Sequence, residues 1–170
     1  MSRASSRVRF AALLALALGC GRDAPAPVPD AGTKGPDDGG APIEERIELG
    51  TGQDQFLALK DGQTVDIVKG PQGGFHVWGA LRAWKLDPKN LEIEYWIDLA
   101  AGGENIAHNK YRLSLLPKGD YAEWFGMTLF ILDPSKVDGK EVVIRFEAKD
   151  ASGRLAQDSR HVTPHLPVTQ

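Results

Sequence analysis

Alternation of apolar and polar residues, repeated every two positions, is the feature that most limits how this chain can fold. In the clearest run the apolar side chains occupy the odd positions, at Leu91, Ile93, Tyr95, Ile97 and Leu99. A β-strand has the same period, with one face toward the core and the other toward water. The pattern recurs at 75–83 and 142–148, and no apolar stripe of helical period and length follows residue 43. The sequence therefore predicts an all-β domain.

Further strands are predicted at 46–49, 56–59, 64–68, 111–115, 124–132 and 154–162. Turn-forming sequences rich in Gly, Pro, Asn and Asp separate these runs at short intervals. Many short strands with such regular turns favour a single antiparallel β-sandwich of immunoglobulin-like topology, with about seven to nine strands. A small closed β-barrel is the alternative that the same alternation permits.

The last part of the domain supports the immunoglobulin-like choice. The strand 142–148 is followed by the turn sequence Asp150-Ala151-Ser152-Gly153. This segment resembles the last hairpin of bacterial immunoglobulin-like modules, in which an Asp-x-x-Gly turn joins the final two strands. The resemblance covers about the last third of the domain and implies structural roles for these residues.

The N-terminus has the sequence features of an export signal. Arginines at positions 3, 7 and 9 precede an apolar run from 10 to 18, which is too short to span a bilayer as a helix. The single cysteine, Cys20, follows directly after Gly19. This segment resembles the lipobox of bacterial lipoproteins, which implies cleavage after residue 19 and attachment of diacylglycerol and palmitate to Cys20. A plain secretory signal is the alternative.

The lipobox resemblance also implies a cellular location, the cell envelope of a Gram-negative bacterium. Gly21 follows the cysteine, and under the enterobacterial sorting rule an aspartate there would retain the protein at the inner membrane. The outer membrane is therefore the predicted location. Residues 20–42 are rich in Pro, Gly and Asp and are predicted to form a disordered tether. The sandwich is predicted to occupy 43–170, without disulfides because one thiol cannot pair within its own chain.

The most unusual local sequence is Gly70-Pro71-Gln72-Gly73-Gly74-Phe75-His76-Val77-Trp78. It resembles a Gly-Pro-Gln-Gly-aromatic-His segment of uncharacterised exported proteins from myxobacteria and related deltaproteobacteria. Its residues 70–74 are predicted to shape a turn that presents His76 at the start of a strand. By alternation His76 shares the outer face with Trp78, Arg82 and Trp84, and together with Trp96 these residues form the candidate binding patch. The alternative is an outer face that simply carries large side chains.

Three functional classes follow from these residues. The leading prediction is a non-enzymatic, lipid-anchored module that binds an envelope protein or a glycan, or serves as a scaffold. A metal or small-ligand carrier would use His76 with His161 or His165, and a carbohydrate or peptidoglycan binder would use Trp78, Trp84 and Trp96. No catalytic or cofactor motif occurs, and the net charge of −3 offers no basic surface for nucleic acid, so neither an enzyme nor a cofactor is predicted.

Overall fold

The computed structural model describes residues 44–167, which form eleven β-strands and one 3₁₀ turn at Pro134–Lys136. The strands are β1 (Arg46–Thr51), β2 (Leu57–Ala58), β3 (Gln63–Asp66), β4 (Val68–Lys69), β5 (Phe75–Trp84), β6 (Leu91–Leu99), β7 (Asn105–Leu113), β8 (Leu116–Pro117), β9 (Ala122–Ile131), β10 (Val142–Lys149) and β11 (Leu155–His165). No helix that is long and apolar enough to cross a membrane occurs between residues 44 and 167. The predicted signal, Cys20 and the tether lie outside the described residues.

The strands form two sheets. In the first sheet the order is β2-β1-β5-β9-β8, with β4 paired to the first residues of β5, and in the second it is β3-β11-β10-β6-β7. Every pair is antiparallel except β3 with β11. Strands β1, β5 and β9 correspond to A, B and E of an immunoglobulin sandwich, and β6, β10 and β11 to C, F and G. The predicted sandwich is confirmed, and the barrel alternative is wrong because the described sheets do not close on each other.

The core lies between the sheets and is built by the predicted alternation. Along β6, Leu91, Ile93, Tyr95 and Ile97 are buried while the residues between them are only partly covered. Ile144 and Phe146 of β10 and Leu81 of β5 are buried as well. Each fully buried side chain of this size contributes about 1.5–3 kcal/mol to folding, so packing of these two inner faces stabilises the domain.

Hydrogen bonds link the two sheets at both sides of the sandwich. On one side the backbone N–H of Leu49 in β1 donates to Asp158 Oδ2 in β11 at 2.8 Å. On the other side the N–H of Phe130 in β9 donates to Tyr95 Oη at 3.0 Å, and the Tyr111 hydroxyl donates to the carbonyl of Thr128. Burial raises the pKa of Tyr95 to about 12, so its hydroxyl stays protonated. These bonds satisfy edge groups of β1 and β9 that have no neighbouring strand there.

Two strand predictions differ from the structure. The predicted strand 111–115 is the end of a longer edge strand, β7, whose first half is mostly polar and carries little apolar alternation. The predicted strand 64–68 is divided between the sheets at Ile67, whose N–H donates to the carbonyl of His165 at 2.7 Å. Val68, directly after it, pairs with His76 in the first sheet. The chain therefore changes sheets at one buried residue, which alternation alone does not reveal.

The predicted turn at 150–153 joins β10 to β11 and is centred on a buried carboxylate. Asp150 accepts hydrogen bonds from the N–H and hydroxyl of Ser152 and from the N–H and Nε of Arg154, and it also accepts from the N–H of Asp87 at 3.0 Å. Burial by itself would raise the pKa of Asp150, but these donors, Ser152 first among them, hold it far below its ordinary value. The aspartate thus fixes both its own turn and the chain between β5 and β6.

Candidate functional site

The glycine-rich segment forms a tight turn between β4 and β5. The N–H of Gly70 donates to the carbonyl of Gly74 at 2.7 Å, and the N–H of Gly73 donates to the carbonyl of Gly70 at 3.0 Å. Gly73 has a φ of +90°, a backbone conformation that residues other than glycine rarely adopt. Nothing lies within 4 Å of the Cβ position of Gly73 or Gly74, so the tip of the turn is open to solvent.

His76 lies directly behind this turn, on the outer face of the first sheet. It is only 5% exposed, and its ring meets Trp78 edge-to-face with 4.4 Å between ring centroids. The ring of Phe130, its partner in register on β9, lies 6.5 Å away. Burial lowers the pKa of His76 below its ordinary value of 6.5, because the charged form would lose solvation. The imidazole is therefore neutral at pH 7.

A groove of about 400 Å³ lies beside His76. It is lined by Gly70, Pro71, Gln72, Gly74, His76, Thr128 and Phe130, and we call it the Phe130 groove. None of these side chains is charged at pH 7. Phe130 lines the groove and is 48% exposed. The groove therefore offers an uncharged, largely apolar surface.

Arg82 and Trp84, farther along β5, belong to a second cluster whose side chains contact one another. The Nε of Arg82 pairs with Glu123 Oε2 at 3.1 Å, and its guanidinium lies 4.2 Å from the centroid of the Phe56 ring. The ring of Trp84 is covered by the guanidinium of Arg46 at 3.7 Å. This part of the predicted patch is thus held by internal cation–π contacts and an ion pair.

The structure separates Trp96 from the rest of the predicted patch, which corrects the interpretation that the five residues form one surface. Trp96 lies on β6, on the outer face of the opposite sheet. His108 of β7 stacks on it at 4.9 Å, and the guanidinium of Arg145 of β10 lies 4.2 Å from its ring centroid. Both are its partners in register, one from each neighbouring strand. Alternation assigns a residue to a face of its strand but not to a sheet, which is why the prediction joined them.

The three candidate metal ligands also lie apart. His76 belongs to the first sheet, whereas His161 and His165 are exposed residues of β11 in the second. His161 Nδ1 lies 3.1 Å from Glu141 Oε1, and His165 Nδ1 lies 3.4 Å from Asp138 Oδ1. Within 44–167, no three or more His, Cys, Asp or Glu side chains are arranged to hold a metal ion.

The outward carboxylates of β6 form cross-strand ion pairs. Glu92 contacts Lys110 and Arg112, each at 3.0 Å, and Glu94 contacts His108 at 2.6 Å. Hydrogen bonds from Lys110 to Glu92 and from His108 to Glu94 lower the pKa of both carboxyl groups. These groups are ionised at neutral pH and interact with the adjacent strand.

The sequence interpretation missed two residues of the groove, Thr128 and Phe130. The alternation of β9 places Met127, Leu129 and Ile131 inward. The sequence therefore already indicates that the residues between them, Thr128 and Phe130, point outward. What was missing was the register, which sets Thr128 opposite Trp78 and Phe130 opposite His76.

The chain was also compared with known proteins. No protein-family model matches it. No curated protein matches it significantly either.

Proposed function

We propose that this protein is a lipid-anchored component of the bacterial cell envelope whose β-sandwich is a non-enzymatic binding module, and that the Phe130 groove binds an apolar, uncharged segment of another envelope protein. The observation that carries the binding surface is the half-exposed Phe130 ring beside His76 in a lining without charge. An apolar side chain of a partner seated in the groove would bury the exposed part of the Phe130 ring, and burial of apolar surface favours binding.

The other aromatic surfaces are less suited to a partner. The indole of Trp96 has His108 and Arg145 as neighbours from both adjacent strands, and the indole of Trp84 is covered by Arg46. A sugar ring stacks on an open aromatic face, and these two contacts would first have to break. The groove therefore favours a protein segment over a glycan as the partner.

The binding surface is tested by site-specific photocrosslinking in the native envelope. A photoreactive phenylalanine analogue at position 130 is compared with the same analogue at Leu155, whose exposure of 47% matches the 48% of Phe130 but which lies on β11. We expect a defined crosslinked product from position 130 and none from position 155, with loss of the product when Thr128→Trp fills the groove. Equal products from both positions, or none from position 130, would refute the groove as the binding surface.

The anchor is tested separately. Cys20→Ser removes the only thiol that can carry lipid, so we expect the protein to move from the membrane fraction to the soluble fraction. Mass spectrometry of the wild-type N-terminus should find diacylglycerol on Cys20. If the variant remains bound to the membrane, the lipoprotein interpretation is wrong, whatever the crosslinking shows.

A further inference from the structure

His76 is an exception to the rule that buried polar atoms have partners. Within residues 44–167, its Nε2 is the one buried side-chain nitrogen or oxygen that makes no hydrogen bond. A buried polar atom without a partner makes the closed arrangement less stable than one in which the atom is hydrogen-bonded. The edge-to-face contact with Trp78 offsets part of that cost only if Nε2 carries a proton that points toward the indole. The other nitrogen, Nδ1, faces the turn, 4.0 Å from where a Cβ of Gly70 would lie.

Within the described part of the chain, the surroundings of His76 contain no acidic side chain that would pair with its charged form. The turn contributes Gly70, Pro71, Gln72 and Gly74, β9 contributes Thr128 and Phe130, and β5 itself contributes Trp78. From β4, Val68 is its partner in register, and the nearest titratable residue of that strand, Lys69, pairs with Phe75 instead. No carboxylate lines the groove. A proton on this imidazole would therefore be a buried, unpaired positive charge.

The turn that covers His76 is held by few interactions. Two backbone hydrogen bonds close it, and the Cβ positions of Gly73 and Gly74 have no neighbour within 4 Å. Segments with few packing contacts open locally at much lower free energy than the whole fold. The turn can therefore move without disturbing the core strands beneath it.

We propose that His76 is a proton-operated latch on the Gly70–Gly74 turn. In the neutral form the imidazole lies in its slot between Trp78 and Phe130 and the turn is closed over it. On protonation the imidazolium moves into solvent, the turn opens and the Phe130 groove widens. The latch goes beyond the proposed function, because it is a property of the domain in the absence of any partner.

The direction and size of the effect follow from linkage. The closed form has the lowered pKa and the open form has the ordinary value of 6.5, so the open form takes up the proton first. As pH falls below 6.5, the ratio of open to closed molecules rises up to tenfold per pH unit, until the pKa of the closed form is reached. Above 6.5 the ratio does not change with pH.

Amide hydrogen exchange tests the latch directly. Exchange rates of the Gly70 and Gly73 amides, divided by their intrinsic rates, are measured from about pH 7.5 to pH 5 together with the Phe146 amide of β10. We expect the protection of the two glycine amides to fall by up to tenfold per unit below pH 6.5, while Phe146 keeps its protection. Constant protection of the glycines would overturn the proposal, and so would an equal loss at Phe146, because that result means global unfolding.

Two variants and one titration complete the test. His76→Phe keeps a ring in the slot but cannot take up a proton, so the exchange of Gly73 should lose its extra pH dependence. His165→Gln, an exposed histidine beside Asp138, should leave that dependence unchanged. If His76→Phe does not fold, NMR titration of the wild-type imidazoles decides alone: His76 titrating at or above 6.5 would overturn the latch.

Discussion

Replacing Asp150 by asparagine tests whether one buried carboxylate holds the last hairpin and the chain between β5 and β6. The carboxylate accepts three hydrogen bonds at Oδ1, from both Ser152 donors and the N–H of Arg154, and two at Oδ2, from the N–H of Asp87 and from Arg154 Nε. An asparagine oxygen can keep the three at Oδ1. Its NH2 group then faces two donors and loses both bonds.

The expected loss of folding stability follows from these two hydrogen bonds. A hydrogen bond to a charged group contributes about 1.5–3 kcal/mol, but the Arg154 side chain is 43% exposed and regains water as a partner. The N–H of Asp87 is the main uncompensated donor. We therefore expect Asp150→Asn to lower the free energy of unfolding by about 2–4 kcal/mol, measured by urea denaturation at pH 7 with an unchanged m-value.

Asp133 provides a matched control, because it makes the same local bonds at the surface. Its Oδ1 accepts from the N–H of Ser135 at 3.0 Å and from its hydroxyl at 2.6 Å, as Asp150 does with Ser152. Asparagine is as good a cap as aspartate at such a position, so Asp133→Asn should leave the free energy of unfolding almost unchanged. Equal losses in the two variants, or a loss below about 1 kcal/mol for Asp150→Asn, would refute the reasoning.

The same substitution has a pH signature. The pKa of Asp150 in the folded state lies below its ordinary value of 3.8, so the unfolded state binds the proton first. The contribution of Asp150 to the free energy of unfolding is therefore complete above about pH 4. It is lost progressively as the pH falls toward the pKa of Asp150 in the folded state. The difference in stability between wild type and Asp150→Asn should shrink between pH 4 and pH 2. A difference that stays constant over this range would contradict the linkage.

Two further substitutions test the sandwich itself. Tyr95→Phe removes the hydroxyl that accepts from the N–H of Phe130, and leaving that donor unpaired should cost about 1–3 kcal/mol in urea denaturation; no loss would mean that water replaces the hydroxyl. Gly126→Ala should cost more than about 1 kcal/mol, because Gly126 has a φ of +73° and its Cβ would lie 2.8 Å from the Gln53 carbonyl. Gly74→Ala, with no neighbour within 4 Å, is the control and should change stability by less than about 0.5 kcal/mol. Equal effects at both glycines would refute the steric argument.

Much of the fold could be predicted because period-two alternation reports directly on burial. Strand β6 shows this most clearly, since its buried residues are the odd ones of the predicted run. Edge strand β7 was only partly predicted, because an edge strand buries little and polar residues such as His108 and Asn109 occupy its middle. The sheet change at Ile67 had no signal in the sequence, since it depends on a hydrogen bond to His165, far away along the chain.

The candidate site was predicted only in part for a related reason. The Gly-rich turn and the outward direction of Trp78 are local properties, and the sequence contains them. That Phe130 lies opposite His76, and that Trp96 belongs to the other sheet, depends on register and on strand order. Those are set by packing across the whole domain, so they could not be obtained from one strand at a time.

The pairing of β1 with β5 has a mechanical consequence. The chain enters the domain just before Arg46, which pairs with Trp84 at one end of β5, whereas His76 lies near the other end. If the protein is anchored through Cys20 and binds a partner in the Phe130 groove, as proposed, a pull on that partner would load these two strands in shear. Five residue pairs would then resist it together instead of opening one after another. The Arg46–Trp84 pair, in which the guanidinium lies 3.7 Å from the ring centroid, would share this load with the other four pairs.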